Sequence, residues 1–339
     1  MAEQHTIEKV FCKLEKIMGN VQGAPLHTCM CPMCNEKPVH SHVFQENGVL
    51  NQISENGKLY MFGRNDLFAM LSDRPLIGYK HIGKHQSFNF WGFCNPHDNN
   101  LFAPIEPSNG IVNWQERQSQ YLLAYKCICR EINAKIEAKH IIRDSMTAIC
   151  FDADTAMKLF LQTTNHSRAI KTLERYKKIL EDGVFNAQYA KLVFKVVELP
   201  FALDLCLSAP ITIREELGLP YFGPDEDKKM EAVNIVNIFP YNQKTIVIMG
   251  GLKDRPNVWL NEIYDLLSSE SIESISIALQ DILFRAEFHC ISKRLYDALS
   301  DEIPLFIQEW FENADNTEYN MPYTSNIFYK YLKTITKQA

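Results

Sequence analysis

No apolar run in the chain reaches the ~18 residues a helix needs to cross a bilayer, so no membrane span is expected. The amino end, MAEQHTIEKVFCKLEKIM, carries charges with no apolar core behind them, which excludes a secretory signal peptide reading. There is no P-loop and no GxGxxG, so the common phosphate and dinucleotide cradles are excluded. No GxSxG elbow and no kinase set can be assembled, and Ser208 stands beside Leu207 and Ala209-Pro210 without a nucleophile context. Internal repeats and low-complexity tracts are also missing. Positive charge is not in excess: 35 Lys and Arg face 41 Asp and Glu, a net charge of −6. That excludes a generally basic nucleic-acid coat and leaves a local basic face open.

What the chain has is cysteine and histidine, unevenly placed. Seven of the ten histidines and five of the ten cysteines precede residue 98. Without a leader the expected context is the reducing cytoplasm, where clustered cysteines bind metal more often than they form disulfides. At 339 residues, 46% of them apolar and 22% charged, the chain is long enough for two or three domains with a large core.

Two knuckle-like pairs stand out: Cys31-Pro32-Met33-Cys34 and Cys94-Asn95-Pro96-His97. Thiolates and an imidazole at this spacing give four donors for tetrahedral zinc. The expected ligands are Cys31, Cys34, Cys94 and His97. Cys29 competes with Cys31 for the first position, and the two-residue gap to Cys34 favours Cys31. Fifty-nine residues separate the pairs, more than in common zinc patterns, but loop closure costs grow only slowly with length. A knuckle, a hairpin and a helix carrying the last ligands make a treble clef. Between the pairs lies His40-Ser41-His42, and strict alternation would put both histidines on one strand face. Asp98 follows the last ligand directly.

The remaining pattern predicts a short amphipathic helix over 5–18, a helix near 48–53 and a strand near 59–62. The run Phe88-Asn89-Phe90-Trp91-Gly92-Phe93 reads as a strand entering a core. A helix over 114–143 carries a seam of Leu122, Tyr125, Cys129, Ile132 and Ile136. A second helix, broken near Asn165, covers 153–181. Over 126–178, eleven Lys and Arg stand against six Asp and Glu. That excess is a solvated helix face or a stripe for a phosphate backbone. Strands are expected at 191–199, 235–239 and 244–249, with Gly218-Leu219-Pro220 and Gly223-Pro224 as punctuation. Helices follow at 257–268, 273–298, 303–312 and near 327–332, after a polar stretch at 313–323. Arg285, Glu287 and His289 would then be structural residues of one helix. The fold class expected is α+β: a ββα-like zinc treble clef at 1–110, a helical middle section at 111–190 and a mixed α+β domain at 191–339.

The order CxxC, then Val39-His40-Ser41-His42-Val43-Phe44, then CxxH followed by an acidic residue resembles a divergent HNH, or His-Me finger, nuclease. It is also similar to bacterial proteins with an SH…FCxxHDxxLFxPIE pattern, here Ser41-His42 and Phe93 through Glu106. The resemblance covers about residues 28–106. It implies that His42 is a general base, with His40 beside it, and that Asp98 binds a catalytic magnesium or manganese ion. The middle Asn of the motif is open among Asn47, Asn51, Asn56, Asn65 and Asn89. Ser41 stands where the group often has an acidic residue or a second histidine. The function implied is a metal-dependent endonuclease, in defence against foreign DNA. Nucleic acid would then lie along Lys126, Arg130, Lys135, Lys139 and Arg143. The alternative is a non-catalytic, zinc-stabilised module that docks nucleic acid or a protein partner. In that reading Asp98 is a helix N-cap and His40 and His42 bond across a hairpin.

Overall fold

The computed structural model describes residues 2–64, 77–107, 111–213, 232–312 and 326–336. Its frame is a seven-stranded antiparallel sheet, order β3-β2-β9-β6-β7-β8-β5. The strands are β2 (Lys58–Arg64), β3 (Ile77–Gly83), β5 (Leu192–Leu199), β6 (Leu205–Thr212), β7 (Val233–Tyr241), β8 (Lys244–Leu252) and β9 (His289–Ile291). Period-two alternation sends Ile235 and Phe239 to one face and Val236 and Ile238 to the other. Both faces are covered, which is why these strands read as unbroken apolar runs.

Strands at 58–64 and 77–83 thus share one sheet with strands at 192–199, 205–212, 233–241, 244–252 and 289–291, on either side of the expected boundaries at 110 and 190. β6 was not anticipated, because Pro210 argues against an inner strand. Its neighbour β9 reaches only Leu205–Leu207, so at Pro210 no ladder bond is lost on that side.

One face of the sheet packs on α6 (Val258–Leu267), α7 (Ile272–Arg285), α9 (Ile303–Glu312) and α10 (Ile327–Ile335). The expected helix over 273–298 is divided. It ends at Arg285 because residues 289–291 enter the sheet, and α8 (Lys293–Ala298) restarts on a cap, the Leu295 N–H donating to the Ser292 hydroxyl at 3.0 Å. His289 therefore lies on a strand and not on a helix. The polar stretch 313–323 and the Gly-Pro punctuation at 218–224 lie outside the described residues.

The other face packs on a helical hairpin, α4 (Arg117–Ala148) and α5 (Ala153–Asn186). The predicted seam of α4 is buried from Leu122 to Ile132 and partly buried at Ile136, but every residue from Ser119 to Asn133 is buried too. α4 is enclosed by α5, the sheet and the amino-terminal region. A Cβ on Gly183 would meet the Tyr121 ring at 2.2 Å, so α5 approaches α4 closely only because that residue is glycine. Tyr176 and Tyr121 hydroxyls accept backbone N–H groups of Val233 at 2.8 Å and Leu192 at 3.4 Å, tying hairpin to sheet. α5 runs through Asn165 without the expected break. Thr163 and Ser167 hydroxyls donate to carbonyls one turn back, which satisfies the polar run inside the helix.

α1 (Ala2–Gln22) packs along α4, and α2 (Val49–Ile53) sits against β7. The amino-terminal region adds a small unit of β1 (His40–His42), β4 (Asn89–Trp91) and α3 (Asn95–Leu101). β1 and β4 pair antiparallel, with His42 opposite Asn89 and His40 opposite Trp91. The hairpin they form contains, as its insertion, β2 and β3 of the large sheet.

Candidate metal centre and the adjoining His42 site

The chain from Cys29 to Glu36 turns back on itself, the Cys29 N–H donating to the Glu36 carbonyl at 2.8 Å. Met33, at φ 58°, takes the tight left-handed step of that turn. The Met30 N–H donates to the Gly92 carbonyl at 2.9 Å and the Val39 N–H to the Phe93 carbonyl at 2.8 Å, pinning the knuckle to the end of β4. Pro96 near the start of α3 then sets the helix that carries His97.

These constraints bring together Cys29, Cys34, Cys94 and His97, whose ligand atoms all lie within 4.8 Å of one another. Cys34 Sγ is 3.9 Å from Cys94 Sγ, and His97 Nδ1 is 3.4 Å from Cys29 Sγ and 3.1 Å from Cys94 Sγ. With zinc–sulfur bonds of ~2.3 Å and zinc–nitrogen bonds of ~2.0 Å, a tetrahedron has edges of roughly 3.5–3.8 Å, close to this spacing. Three thiols and one imidazole, with Cys29 and Cys94 buried and Cys34 and His97 partly so, form a four-donor set of structural type.

Cys31 is not a member of the group, contrary to the expectation from spacing. Its thiol is buried on the core side, where burial and the neighbouring Cys29 and Cys129 push its pKa far up. Cys29 is the thiol seated against Cys94, whose N–H donates to its sulfur at 3.2 Å, and Cys31 lies behind it, next to Cys29 and Cys129. Burial also pushes the Cys29 thiol up to about 11, so metal binding there must release a proton.

Beside this centre lies a second set of groups. His40 and His42 share a face of β1, and His40 packs against Trp91 with ring centroids 3.8 Å apart and the planes tilted by 34°. Burial, then the neighbouring His42, lowers the His40 pKa. Ser41 points inward, completely buried, and its hydroxyl accepts the Phe93 N–H at 3.2 Å. It is a pin between the strands and is not available to a metal.

The His42 Nε2 lies 3.1 Å from the His85 carbonyl oxygen, and the Asn89 side-chain amide donates to the same oxygen at 3.1 Å. Asn47 and Asn51 are instead held by Lys84, and Asn56 forms a turn at φ 52°. Asn65 lies outside the described residues.

Asp98 occupies the first turn of α3 but does not cap it; Cys94 holds the N-cap position. The Asp98 Oδ1 is buried without a hydrogen-bond partner. The Glu106 carboxyl feels both Asp98 and His42: burial raises its pKa most, Lys126 opposes that, and Asp98 raises and His42 lowers it further. Sequence reasoning missed Glu106 as a site residue, although it closes the quoted PIE pattern.

Lys126, 1% exposed, forms an ion pair with Glu106, donates to the His42 carbonyl at 2.9 Å and stands over the Phe102 ring. The expected basic stripe is therefore not a surface. Lys126 and Arg130 are buried, Arg130 between the Phe88 and Phe288 rings. Lys135 is held by Glu131 and Glu287, which outweigh burial and raise its pKa. Only the later part of the helix presents basic side chains, Arg143 most openly.

No family model matches the chain, and no curated protein and no solved structure matches it either. None of the helices is long and apolar enough to cross a membrane, among the described residues.

Proposed function

We propose that the chain is a divalent-metal-dependent phosphodiesterase of HNH-like type acting on nucleic acid, built around a structural zinc centre of Cys29, Cys34, Cys94 and His97. The observation that carries this reading is the shared acceptor of His42 and Asn89, the His85 carbonyl. A carbonyl only accepts, so His42 Nε2 carries a proton toward it, and Nδ1 is the nitrogen that accepts when the ring is neutral. A neutral imidazole of that tautomer suits general-base catalysis. It would take a proton from water as the water oxygen bonds to phosphorus. The bond from phosphorus to the leaving sugar oxygen breaks, and that oxygen takes a proton from solvent.

Asp98 and Glu106 are the residues that would hold a magnesium or manganese ion. The unpartnered Asp98 Oδ1 is a donor suited to a hard cation. When bound, such an ion would stabilise the leaving oxygen.

A non-catalytic zinc-stabilised module is the second reading. It is favoured by the absence, among the described residues, of a second group of three ligand atoms as compact as the cysteine–histidine cluster. One experiment separates the two. Zinc-loaded protein is assayed on plasmid and on RNA with magnesium and with manganese, alongside His42→Ala. The nuclease reading expects cleavage by the parent and a loss of about 10²–10⁴-fold in the variant, with zinc content unchanged. A parent protein inert with every divalent ion overturns it.

A further inference from the structure

The free end of the α4–α5 hairpin projects from the core. In α4 burial is continuous from Ser119 to Asn133 and afterwards holds only at Ile142 and Ser145, and in α5 it begins at Thr172. Ten large apolar side chains are exposed among the described residues, and four of them, Met146, Met157, Phe160 and Leu161, belong to this end. The last three are 58%, 59% and 53% exposed within five positions of one helix. Asp154, Met157, Leu161, Thr164 and Arg168 follow one another at steps of 3, 4, 3 and 4, the seam spacing of a helix that packs lengthwise on another. All are exposed except Thr164, which is half-buried and donates to the Phe160 carbonyl at 3.1 Å. The opposite side of α5, with Leu159, Thr163 and Ile170, is half-buried. The seam is therefore a second face of α5, separate from the one turned to its own hairpin.

The charges of that face select its occupant. Over 137–170 four Lys and Arg stand against four Asp and Glu, so this end has no net charge to draw a phosphate backbone or an anionic bilayer. The charges are instead divided along the seam, with Asp154 at one end, Arg168 at the other and Met157 and Leu161 between them. A twofold interface must be complementary to itself. Two such helices laid antiparallel and crossing near Leu161 bring Asp154 of each opposite Arg168 of the other, ~10 Å to either side of the crossing at about 1.5 Å per residue. The apolar residues then meet at the centre. We infer that the seam of α5 docks on the same seam of a second copy of this chain, forming an antiparallel, twofold-symmetric dimer. A parallel pair would set Asp154 against Asp154 and Arg168 against Arg168. Asp154 also pairs with Lys158 of its own helix at 2.7 Å, but both side chains are widely exposed, so that pair contributes little and does not compete with the seam. The face is small, and the dimer is a weak, concentration-dependent one. It does not depend on the nuclease reading.

Sedimentation velocity of the full, zinc-loaded chain over a micromolar concentration series tests it. The parent should pass from monomer to dimer as the concentration rises. Leu161→Glu should weaken the dimer roughly 10-fold or more with an unchanged melting temperature, and Phe160→Ser, on the flank of the seam, repeats the test if that variant does not fold. Asp154→Arg alone and Arg168→Glu alone should each weaken association by setting like charges together. The two combined should restore it toward the parent. That rescue belongs to the antiparallel arrangement, since a parallel pair gains nothing from the exchange. A parent that stays monomeric throughout, a dimer untouched by Leu161→Glu and Phe160→Ser, or a double variant no better than the single ones overturns the inference. So does binding of a monomeric parent to phosphatidylglycerol vesicles or to single-stranded DNA that Leu161→Glu abolishes, because it gives the face to that partner instead.

Discussion

The backbone N–H of Cys94 donates to the sulfur of Cys29 across a gap of sixty-five positions, at 3.2 Å. Such a bond stabilises a thiolate and fixes which cysteine of the first knuckle joins Cys34, Cys94 and His97. It also decides the first test. Purified protein should carry one zinc per chain. Cys29→Ala should lose that metal and the solubility of the amino-terminal region, since structural zinc contributes ~10–16 kcal/mol in small domains. Cys31→Ala should keep its zinc and lose only part of its stability, about 1–3 kcal/mol for a small buried side chain. Metal analysis and thermal melting of both variants check this, and equal zinc loss from the two would refute the assignment.

Lys126, fully buried, forms an ion pair with the partly buried Glu106 where α4 meets the unit of β1, β4 and α3. Lys126→Ala leaves a carboxylate without its partner and should cost about 3–5 kcal/mol. Lys126→Met combined with Glu106→Gln should cost much less than the single change. Urea denaturation of the three proteins measures the difference.

Ser41→Ala removes the acceptor of the Phe93 N–H inside the strand pair. A buried donor left unpaired costs about 1–3 kcal/mol. The expected result is a lower melting temperature with unchanged zinc stoichiometry. A variant as stable as the parent would mean that Ser41 is not a pin.

His289 is fully buried next to Tyr79, whose hydroxyl lies 2.7 Å from Nε2, and burial lowers its pKa from 6.5 to about 3. Unfolded chain therefore binds a proton below pH 6.5 that the folded chain refuses until about pH 3. The stability from this group is complete above pH 6.5 and falls by about 1.4 kcal/mol per unit between those limits as acid is added. His289→Gln should flatten that dependence. Denaturation midpoints at pH 7.5 and 5.0 for both proteins are the measurement.

Much of this architecture was legible in the chain. The seam from Leu122 to Ile136 and the β-branched runs of β5, β7 and β8 carry periodicities that burial imposes directly. The cysteine and histidine skew marked the metal region. Other features depend on partners far away in sequence. Spacing alone favours Cys31, but the Cys94 N–H, sixty-five positions away, seats Cys29 in the cluster. Charge pattern made Lys126 and Arg130 look solvated, because nothing local says that α4 is wrapped on every side. Glu106 and Asn89 become site residues only through the Lys126 bond and the register of β1 against β4.

The hairpin of β2 and β3 lies between the two halves of the metal centre, yet its inner neighbour is β9. That neighbour emerges from the ribosome only after most of the polypeptide has been made, on the order of ten seconds or more at roughly 5–20 residues per second. Until then β2 presents an open edge, the kind of surface that invites pairing with another chain. Early capture of zinc would close the knuckles around this hairpin and confine the exposed strand while synthesis proceeds. Cells short of the metal should accumulate aggregated nascent protein before they show any loss of finished product.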